Sequence, residues 1–279
     1  MSHSFLIDIP PSPFLQDFVR KYQVFRFCFD KHQTPPPKFH APRPEQSITF
    51  YVKDLQKYSL VGHNQVVEYP RCIINGIYTV PIYRHGANDF MAIKVVLMPT
   101  AFHRLVRLPM LELANHFIDA ELVWGNSIKQ TIEQLQSLDN LHEMIAVIDS
   151  FLLNLVKKNT KPLLPFDKVS HYMLSAKSDY SLDWLADQSC LSKRQFIRKF
   201  QECVGTNPKT FSRIIRFDRA FRIRNQYPDT DWLEIAVAAG YHDYQHLSKE
   251  FQDFTMLVPP TFYAVETQSP ERNFGLFER

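Results

Sequence analysis

Glycine is scarce in this sequence, with only 7 residues among 279, which leaves little material for a glycine-rich phosphate-binding loop. The 4 cysteines are widely scattered and form no C-x-x-C pair, a pattern typical of reduced, buried thiols. No run approaches the roughly 18 uncharged apolar residues of a membrane span, and the first residues lack the basic and apolar regions of a secretory signal. We therefore expect a cytoplasmic protein that is not inserted in a membrane.

The first part of the chain favours short strands, because aromatic and β-branched residues alternate with proline-rich breaks. After Pro99 apolar residues recur at helical spacing instead. The segment 157–162 loses this periodicity and is expected to be a linker, with a domain boundary near Lys161. The expected strands are Val19–Phe29, Ser47–Val52, Cys72–Ile77, Thr79–Tyr83 and Phe90–Leu97, and the expected helices are Thr100–Leu105, Met110–Ala120, Ser127–Leu135 and Leu141–Val156.

The remainder of the sequence is predicted to be almost wholly helical, with local signals for where helices begin. Ser192 followed by Gln195 predicts a capping box, and Asn207 before Pro208 predicts an N-cap with proline in the first turn. Asp243 is a suitable N-cap for the last expected helix. The expected helices are Asp167–Ser175, Ser181–Gln188, Lys193–Val204, Pro208–Gln226, Asp231–Ala239 and Tyr244–Phe254.

This helical part contains an internal repeat. Leu182–Ala186 resembles Trp232–Ala236 at an offset of 50, whereas the later matches have an offset of 51, so the second turn has gained one residue. Each copy has the pattern of a helix-turn-helix: a first helix with a small residue, a short turn, and a second helix with one buried stripe and an opposite face free for a DNA groove. The later matches are Phe196, Phe200, Pro208 and Phe211 with Leu247, Phe251, Pro259 and Phe262.

Positive charge is concentrated in the first copy and in the long helix that follows it. The stretch Lys193–Arg224 contains ten basic residues and only two acidic ones, Glu202 and Asp218. Such a local excess is the electrostatic signature of phosphate binding, although a solvated amphipathic helix is the alternative explanation for any run of charge.

These residues resemble the AraC/XylS family of transcription regulators. The resemblance implies two three-helix units joined by a linker helix at Pro208–Gln226, with both recognition helices in successive major-groove segments. A departure occurs at Thr255–Pro259, which lacks the family's glycine before the proline. The matching residues are Ser181, Leu182, Leu185, Ala186, Leu191, Ser192, Arg194–Phe196, Arg198, Phe200, Val204, Gly205, Asn207–Lys209, Arg213, Arg216, Phe217, Ile235, Ala236, Gly240, Tyr241, Asp243, His246, Leu247 and Phe251.

A looser likeness covers the β-rich part, from Ile74–Gly76 through Phe102 and then Glu112–Leu113 and Trp124–Gly125, to the N-terminal domain of a subset of the family. The expected fold class is therefore a two-domain α+β protein. The expected domains are a β-rich sensing or dimerisation domain at 1–160, a DNA-binding domain at 161–266 and a flexible tail at 267–279.

The resemblance implies a sequence-specific DNA-binding regulator that needs no cofactor or metal and is not an enzyme. Double-stranded DNA is the expected partner; RNA polymerase, a small-molecule effector and a second copy of the chain remain open as further partners. The first recognition helix is expected to dominate, because the second has Gln245 and Glu250 in place of Arg194 and Lys199 and keeps an acid, Asp253, in place of Glu202. The expected DNA-contacting residues are Ser192, Lys193, Arg194, Gln195, Arg198, Lys199, Lys209, Arg213, Tyr244, Gln245, His246 and Lys249.

Three other interpretations are weighed against this one. The helical repeat could be a protein-interaction module that no longer binds DNA. His242 and His246 have the i, i+4 spacing of metal ligands, but no third ligand stands with them in the sequence. Tyr51, Phe90 and Phe102 could line an effector pocket in the β-rich domain, although core packing is the commoner role for such aromatics.

Overall fold

The computed structural model describes residues 4–63, 65–159, 162–175 and 180–278. The chain is an α+β protein: a β-rich N-terminal half closed by helices is followed by an all-helical half. Within the described ranges, none of the helices combines the length and the apolarity that a membrane span requires. The boundary expected near Lys161 lies outside the described residues.

Two antiparallel sheets form the N-terminal half. The larger sheet has the strand order β1-β2-β9-β4-β7-β10 and the smaller has the order β3-β8-β5-β6. The strands are β1 Phe5–Ile9, β2 Val19–Cys28, β3 Lys38–His40, β4 Ser47–Tyr51, β5 Lys57–Leu60, β6 Val67–Glu68, β7 Cys72–Asn75, β8 Ile82–His85, β9 Asp89–Leu97 and β10 Phe117–Asp119.

The larger sheet is covered on both faces, and the alternation along β9 shows how. Ile93 and Val95 point towards the helices that close this half, whereas Phe90 and Ala92 point towards the smaller sheet. Lys94 shares the second face and is buried, because its ammonium group is paired with the carboxylate of Glu45. The closing helices are α1 Ala101–Val106, α2 Ala120–Trp124, α3 Asn126–Ser137 and α4 Leu141–Asn159.

Two expectations for this half are wrong. Met110–Ala120 is not one helix but a 3-10 helix, Met110–Leu113, followed by β10. The helix stops because Asn115 adopts a left-handed backbone (φ 61°) and β10 then pairs with β7. The expected linker also begins too early, because α4 continues through Lys158. Lys157 and Lys158 lie in its last turn, where the helix dipole stabilises positive charge.

The helical half follows the local signals in the sequence closely. The predicted bounds of α7 and α8 are confirmed. Ser192 and Gln195 form the capping box, and the Asn207 side chain accepts from the Thr210 N–H at 2.8 Å. The helices are α5 Pro165–Ser175, α6 Leu182–Gln188, α7 Lys193–Val204, α8 Pro208–Gln226, α9 Trp232–Ala239, α10 Tyr244–Thr255 and α11 Pro259–Glu266.

The two halves share a hydrophobic cluster. Phe39 and Ile77 of the β-rich half belong to the same core as the helices, and the Phe39 ring lies edge-on to Phe262 of α11 with 6.0 Å between centroids. At the end of α7 the Gln46 amide donates to the carbonyls of Cys203 (3.3 Å) and Val204 (3.1 Å). The β-rich half therefore satisfies carbonyl groups that α7 leaves open at its C-terminus.

Gly205 makes this junction possible. It caps α7 with a left-handed backbone (φ +85°), and a side-chain carbon there would lie only 2.7 Å from the carbonyl oxygen of Met110. Glycine fits both demands because it has no Cβ.

Residues 267–278 do not form the expected flexible tail. Pro270–Phe274 is a 3-10 helix, and Ser269, Pro270 and Glu271 are buried. The segment is held because its aromatic and carboxylate side chains meet buried partners in the β-rich half, such as Phe27.

Candidate nucleic-acid interface

The turns of the two helix-turn-helix units begin in the same way. The Leu191 N–H donates to the Ala186 carbonyl at 3.0 Å, and the Tyr241 N–H donates to the Ala236 carbonyl at 2.9 Å. In the first turn Cys190 adopts a left-handed backbone (φ 55°); Gly240 does so in the second (φ 94°). The same bond between equivalent residues shows that the two turns start alike, as the sequence repeat predicts.

The N-caps locate the extra residue of the second unit. Ser181 caps α6 and Asp231 caps α9, an offset of 50, whereas Ser192 caps α7 and Asp243 caps α10, an offset of 51. Since Tyr241 still matches Leu191 at 50, the additional residue is His242. The second recognition helix thus begins after a turn that is one residue longer.

In the first unit, α7 buries one stripe and presents the other face to solvent. Phe196 and Phe200 are fully buried and pack against Phe166 of α5. Arg194 and Arg198, one turn apart on the other side, are exposed, and neither has an ion-pair partner in the part of the chain that the structure describes. Two guanidinium groups are therefore available to a ligand on one face of α7.

Other expected residues of this unit already have partners. The Lys193 ammonium lies 2.6 Å from a carboxylate oxygen of Asp183, and the Lys199 ammonium lies 4.8 Å above the ring of Phe166. The Gln195 side-chain oxygen accepts from the Ser192 N–H at 3.0 Å, so the cap uses that oxygen. Lys193, Lys199 and Gln195 therefore lie near the two arginines, but each would have to give up an existing contact to bind a ligand.

The second unit presents fewer cations. Along α10, Leu247, Phe251 and Phe254 are buried, whereas Gln245 and Lys249 are exposed. Tyr244 and His246 are half-buried at the start of the helix, beside the capping carboxylate of Asp243.

Glu250, the sequence counterpart of Lys199, is buried rather than facing outward. Its carboxylate accepts from Arg213 at 3.0 Å, from Arg216 at 2.9 Å and from the Tyr241 hydroxyl at 3.0 Å. Burial raises the pKa of Tyr241, and the neighbouring carboxylate raises it further. The sequence gives no sign of this role, because the partners come from another helix and a turn.

Arg213, an expected phosphate contact, is engaged by two carboxylates. Besides Glu250 it donates to Asp253 at 2.5 Å. Burial would lower the pKa of Arg213, but the hydrogen bonds and charges of the two carboxylates raise it. Its guanidinium group ties α8 to α10.

Three other arginines of α8 also donate hydrogen bonds within the protein. Arg219 donates to the Ala239 carbonyl, Arg222 to Asp218 and Arg224 to the Thr230 carbonyl. The dense positive charge in the sequence is consequently a poorer guide to the binding face than the exposed side chains of α7.

An open cleft of about 900 Å³ separates the two units. Lys209, exposed in the first turn of α8, contributes to its lining together with Lys249 of α10. Ile197 and Ser212, which the sequence does not single out, also line it.

Comparison with known proteins identifies the helical half. Residues 185–264 match the model of a helix-turn-helix domain family. These residues form a helix-turn-helix domain. An uncharacterized HTH-type transcriptional regulator of Haemophilus influenzae is 29% identical over 86 residues, which is 31% of this chain and 28% of that protein. MtrA of Neisseria gonorrhoeae, an HTH-type transcriptional regulator, is 26% identical over 76 residues, 27% of this chain and 25% of that one.

The chain spans only about a quarter of the length of these curated relatives. Among solved structures, ToxT from Vibrio cholerae superimposes with a TM-score of 0.47 at 12% identity, covering 88% of this chain and 97% of that one.

Proposed function

We propose that this protein is a sequence-specific, DNA-binding transcription regulator and not an enzyme. The observation that carries the proposal is the free pair Arg194 and Arg198 on the solvent face of α7, within a tandem helix-turn-helix domain. Arginine can bond guanine bidentately in the major groove, and each such pair contributes about 1–3 kcal/mol of discrimination.

The first recognition helix, α7, is proposed to be the dominant reader. Besides the two arginines, we assign Ser192, Lys193, Gln195 and Lys199 to its DNA-facing surface, where they would contact phosphates or neighbouring bases. Lys209 at the start of α8 is assigned to phosphate. The second helix adds Tyr244, Gln245, His246 and Lys249.

The N-terminal half is proposed to regulate rather than to read DNA. Tyr51 and Phe90 line the space between its two sheets, which suits a sensing role, whereas Phe102 packs in the core beneath the helices. A small-molecule effector and pairing with a second copy are the two means of regulation that we infer for it. Contact with RNA polymerase, and a location in the cytoplasm beside the DNA, follow from the proposed role.

A fluorescence-anisotropy titration of the full chain with duplexes selected from genomic fragments tests the proposal. We expect tight binding that weakens steeply between two salt concentrations, because phosphate contacts release counterions. Arg194→Ala and Arg198→Ala should lose preference at defined base pairs, whereas Lys129→Ala, an exposed change on α3, should not.

The result that overturns it is equally plain. If no selected duplex binds better than a scrambled one, the tandem repeat is a protein-interaction module. If binding is specific but both arginine variants match the wild type, α7 is not the reader.

A further inference from the structure

The β-rich half encloses a chamber between its two sheets. The empty cavity is small, about 60 Å³, and its walls combine aromatic rings with buried cations. The side chains used in the following argument are Phe27, Phe29, Lys38, Arg84, Phe90 and Lys94.

The positive charge in this chamber is only partly balanced from within the β-rich half. Lys94 is paired with Glu45, but Arg84 has no ion-pair partner among the described residues, and its Nε hydrogen has no acceptor there. Lys38 has no carboxylate partner in its own half among the described residues; its partners all come from beyond residue 265.

Residues Thr267–Glu278, which we call the closing segment, complete the chamber wall. Pro270, Glu271 and Glu278 line the cavity. The Phe274 ring stacks on Phe27 with 5.8 Å between centroids and an interplanar angle of 4°.

The closing segment also supplies the missing negative charge. The Lys38 ammonium is paired with Glu271 and lies 3.1 Å from Glu278 and 3.0 Å from Glu266, the last residue of α11. Burial alone would lower the pKa of Lys38, yet these three carboxylates together raise it. Without the segment, a buried ammonium group would keep one carboxylate partner of three.

The same segment reaches the linker helix. Glu278 accepts from Arg43 at 2.9 Å, and Arg43 also donates to Asp218 of α8 at 2.5 Å. The Asn225 amide of α8 donates to the Glu278 carbonyl at 3.1 Å. The chamber, α8 and the end of α11 are thus joined through twelve residues of chain.

We propose that the closing segment is an intramolecular plug: it occupies the mouth of the chamber with Phe274 and two carboxylates, and it must leave before any ligand can enter. Its departure would also remove the bonds that Glu278 makes with Arg43 and with Asn225 of α8, which links access to the chamber with the attachment of α8 to the β-rich half. This regulation rests on the sensing role proposed above.

The test uses the full chain and the probe 8-anilinonaphthalene-1-sulfonate, whose fluorescence rises in an apolar site. Phe274→Ala removes the stacking on Phe27 and part of the buried area, which should shift the equilibrium between closed and open segment by about tenfold. We expect about tenfold tighter probe binding, and suppression of that binding by an added peptide with the sequence of residues 267–278.

Phe277→Ala is the matched control, because that ring is 44% exposed and stacks under Arg272 within the segment itself. Circular dichroism verifies that each variant is folded. If Phe274→Ala fails to fold, Glu278→Gln, which keeps the shape and removes the charge, takes its place with the same expected direction.

Probe binding equal to that of Phe277→Ala, or binding that the peptide does not suppress, overturns the proposal. No DNA is present in this assay. A chain that closes its chamber but binds no DNA therefore argues against the proposed function alone, and the reverse result argues against the plug alone.

Discussion

Arg213 of α8 donates its Nε hydrogen to the buried carboxylate of Glu250 on α10 across 3.0 Å. The contact joins the linker helix to the second recognition helix, and Arg216 reinforces it from the next turn at 2.9 Å. The second unit is therefore oriented by an ion cluster in which one carboxylate serves two guanidinium groups.

Removing that carboxylate should loosen the second unit. Glu250→Ala leaves Arg213 and Arg216 without their shared partner, and we expect a loss of about 3 kcal/mol in the free energy of unfolding. Asp253→Ala is the control: its side chain is 46% exposed, so the loss should be below about 1 kcal/mol. Urea denaturation of both variants checks this, and equal losses would show that Glu250 does not hold the helix.

Lys209 and Arg213 should separate a phosphate contact from a structural one. Lys209→Ala should weaken binding to all DNA sequences alike and reduce the slope of log K against log salt by about 1. Arg213→Ala should leave the slope unchanged and lower stability. The measurement is anisotropy at several salt concentrations; the assignments are reversed if the slope falls for Arg213→Ala alone.

The two recognition helices should contribute unequally. Arg198→Ala should cost more binding free energy on a selected site than Lys249→Ala or Gln245→Ala, because α7 presents two free guanidinium groups and α10 a single exposed ammonium group among the predicted contacts. Glu250 plays no part in this difference, since its charge is met by arginines. Titrations of the three variants decide the order, and a larger loss for either change in α10 refutes it.

Acid should destabilise the protein in two stages. Burial, and then nearby cations, hold the pKa of His40 well below 6.5, so the unfolded chain takes up this proton first and stability is lost as pH falls through 6.5. Burial works against ionisation of Glu45, but Lys94 and Arg20 lower its pKa to about 2, so its stabilisation is lost between about pH 4.5 and 2.

Two carboxyl groups at the closing segment, those of Glu278 and Glu266, have pKa values shifted in opposite directions. The pKa of Glu278 lies well below its usual value because Lys38 and Arg43 outweigh its burial, whereas burial raises the pKa of Glu266, which opposes the trend. The low pKa of Glu45 by itself corresponds to a contribution on the order of 3 kcal/mol to the free energy of unfolding at neutral pH. Urea midpoints from pH 7 to pH 3 should fall, and Glu45→Gln should flatten the lower stage; a pH-independent difference between the two proteins would rule this out.

Local signals made much of the helical half predictable. The starts of α7 and α8 are set by side chains within three residues, at Ser192–Gln195 and Asn207–Thr210, so the local sequence contains these signals. The buried stripe with Phe196 and Phe200 and the exposed arginines opposite follow from the helical repeat.

What escaped prediction depends on distant partners. The strands β3, β5 and β6 of the smaller sheet have two to four residues each, too few for a clear alternation. The closing segment lacks apolar periodicity and owes its order to Lys38 and Phe27, more than 200 residues earlier in the chain. Glu250 looked like an outward acid because its arginines are 34 and 37 residues away.

The bonds from Gln46 to the end of α7 matter for anyone who builds chimeric regulators. A hybrid that joins the helical half to a foreign sensor near residue 161 would lose the Gln46 amide, which donates hydrogen bonds to the carbonyls of Cys203 and Val204. It would also place Gly205 against an unrelated surface. The recognition helix would then end in unmet carbonyl groups. Successful hybrids should therefore carry Gln46 and the Met110 turn with the helices, or replace them with an equivalent donor.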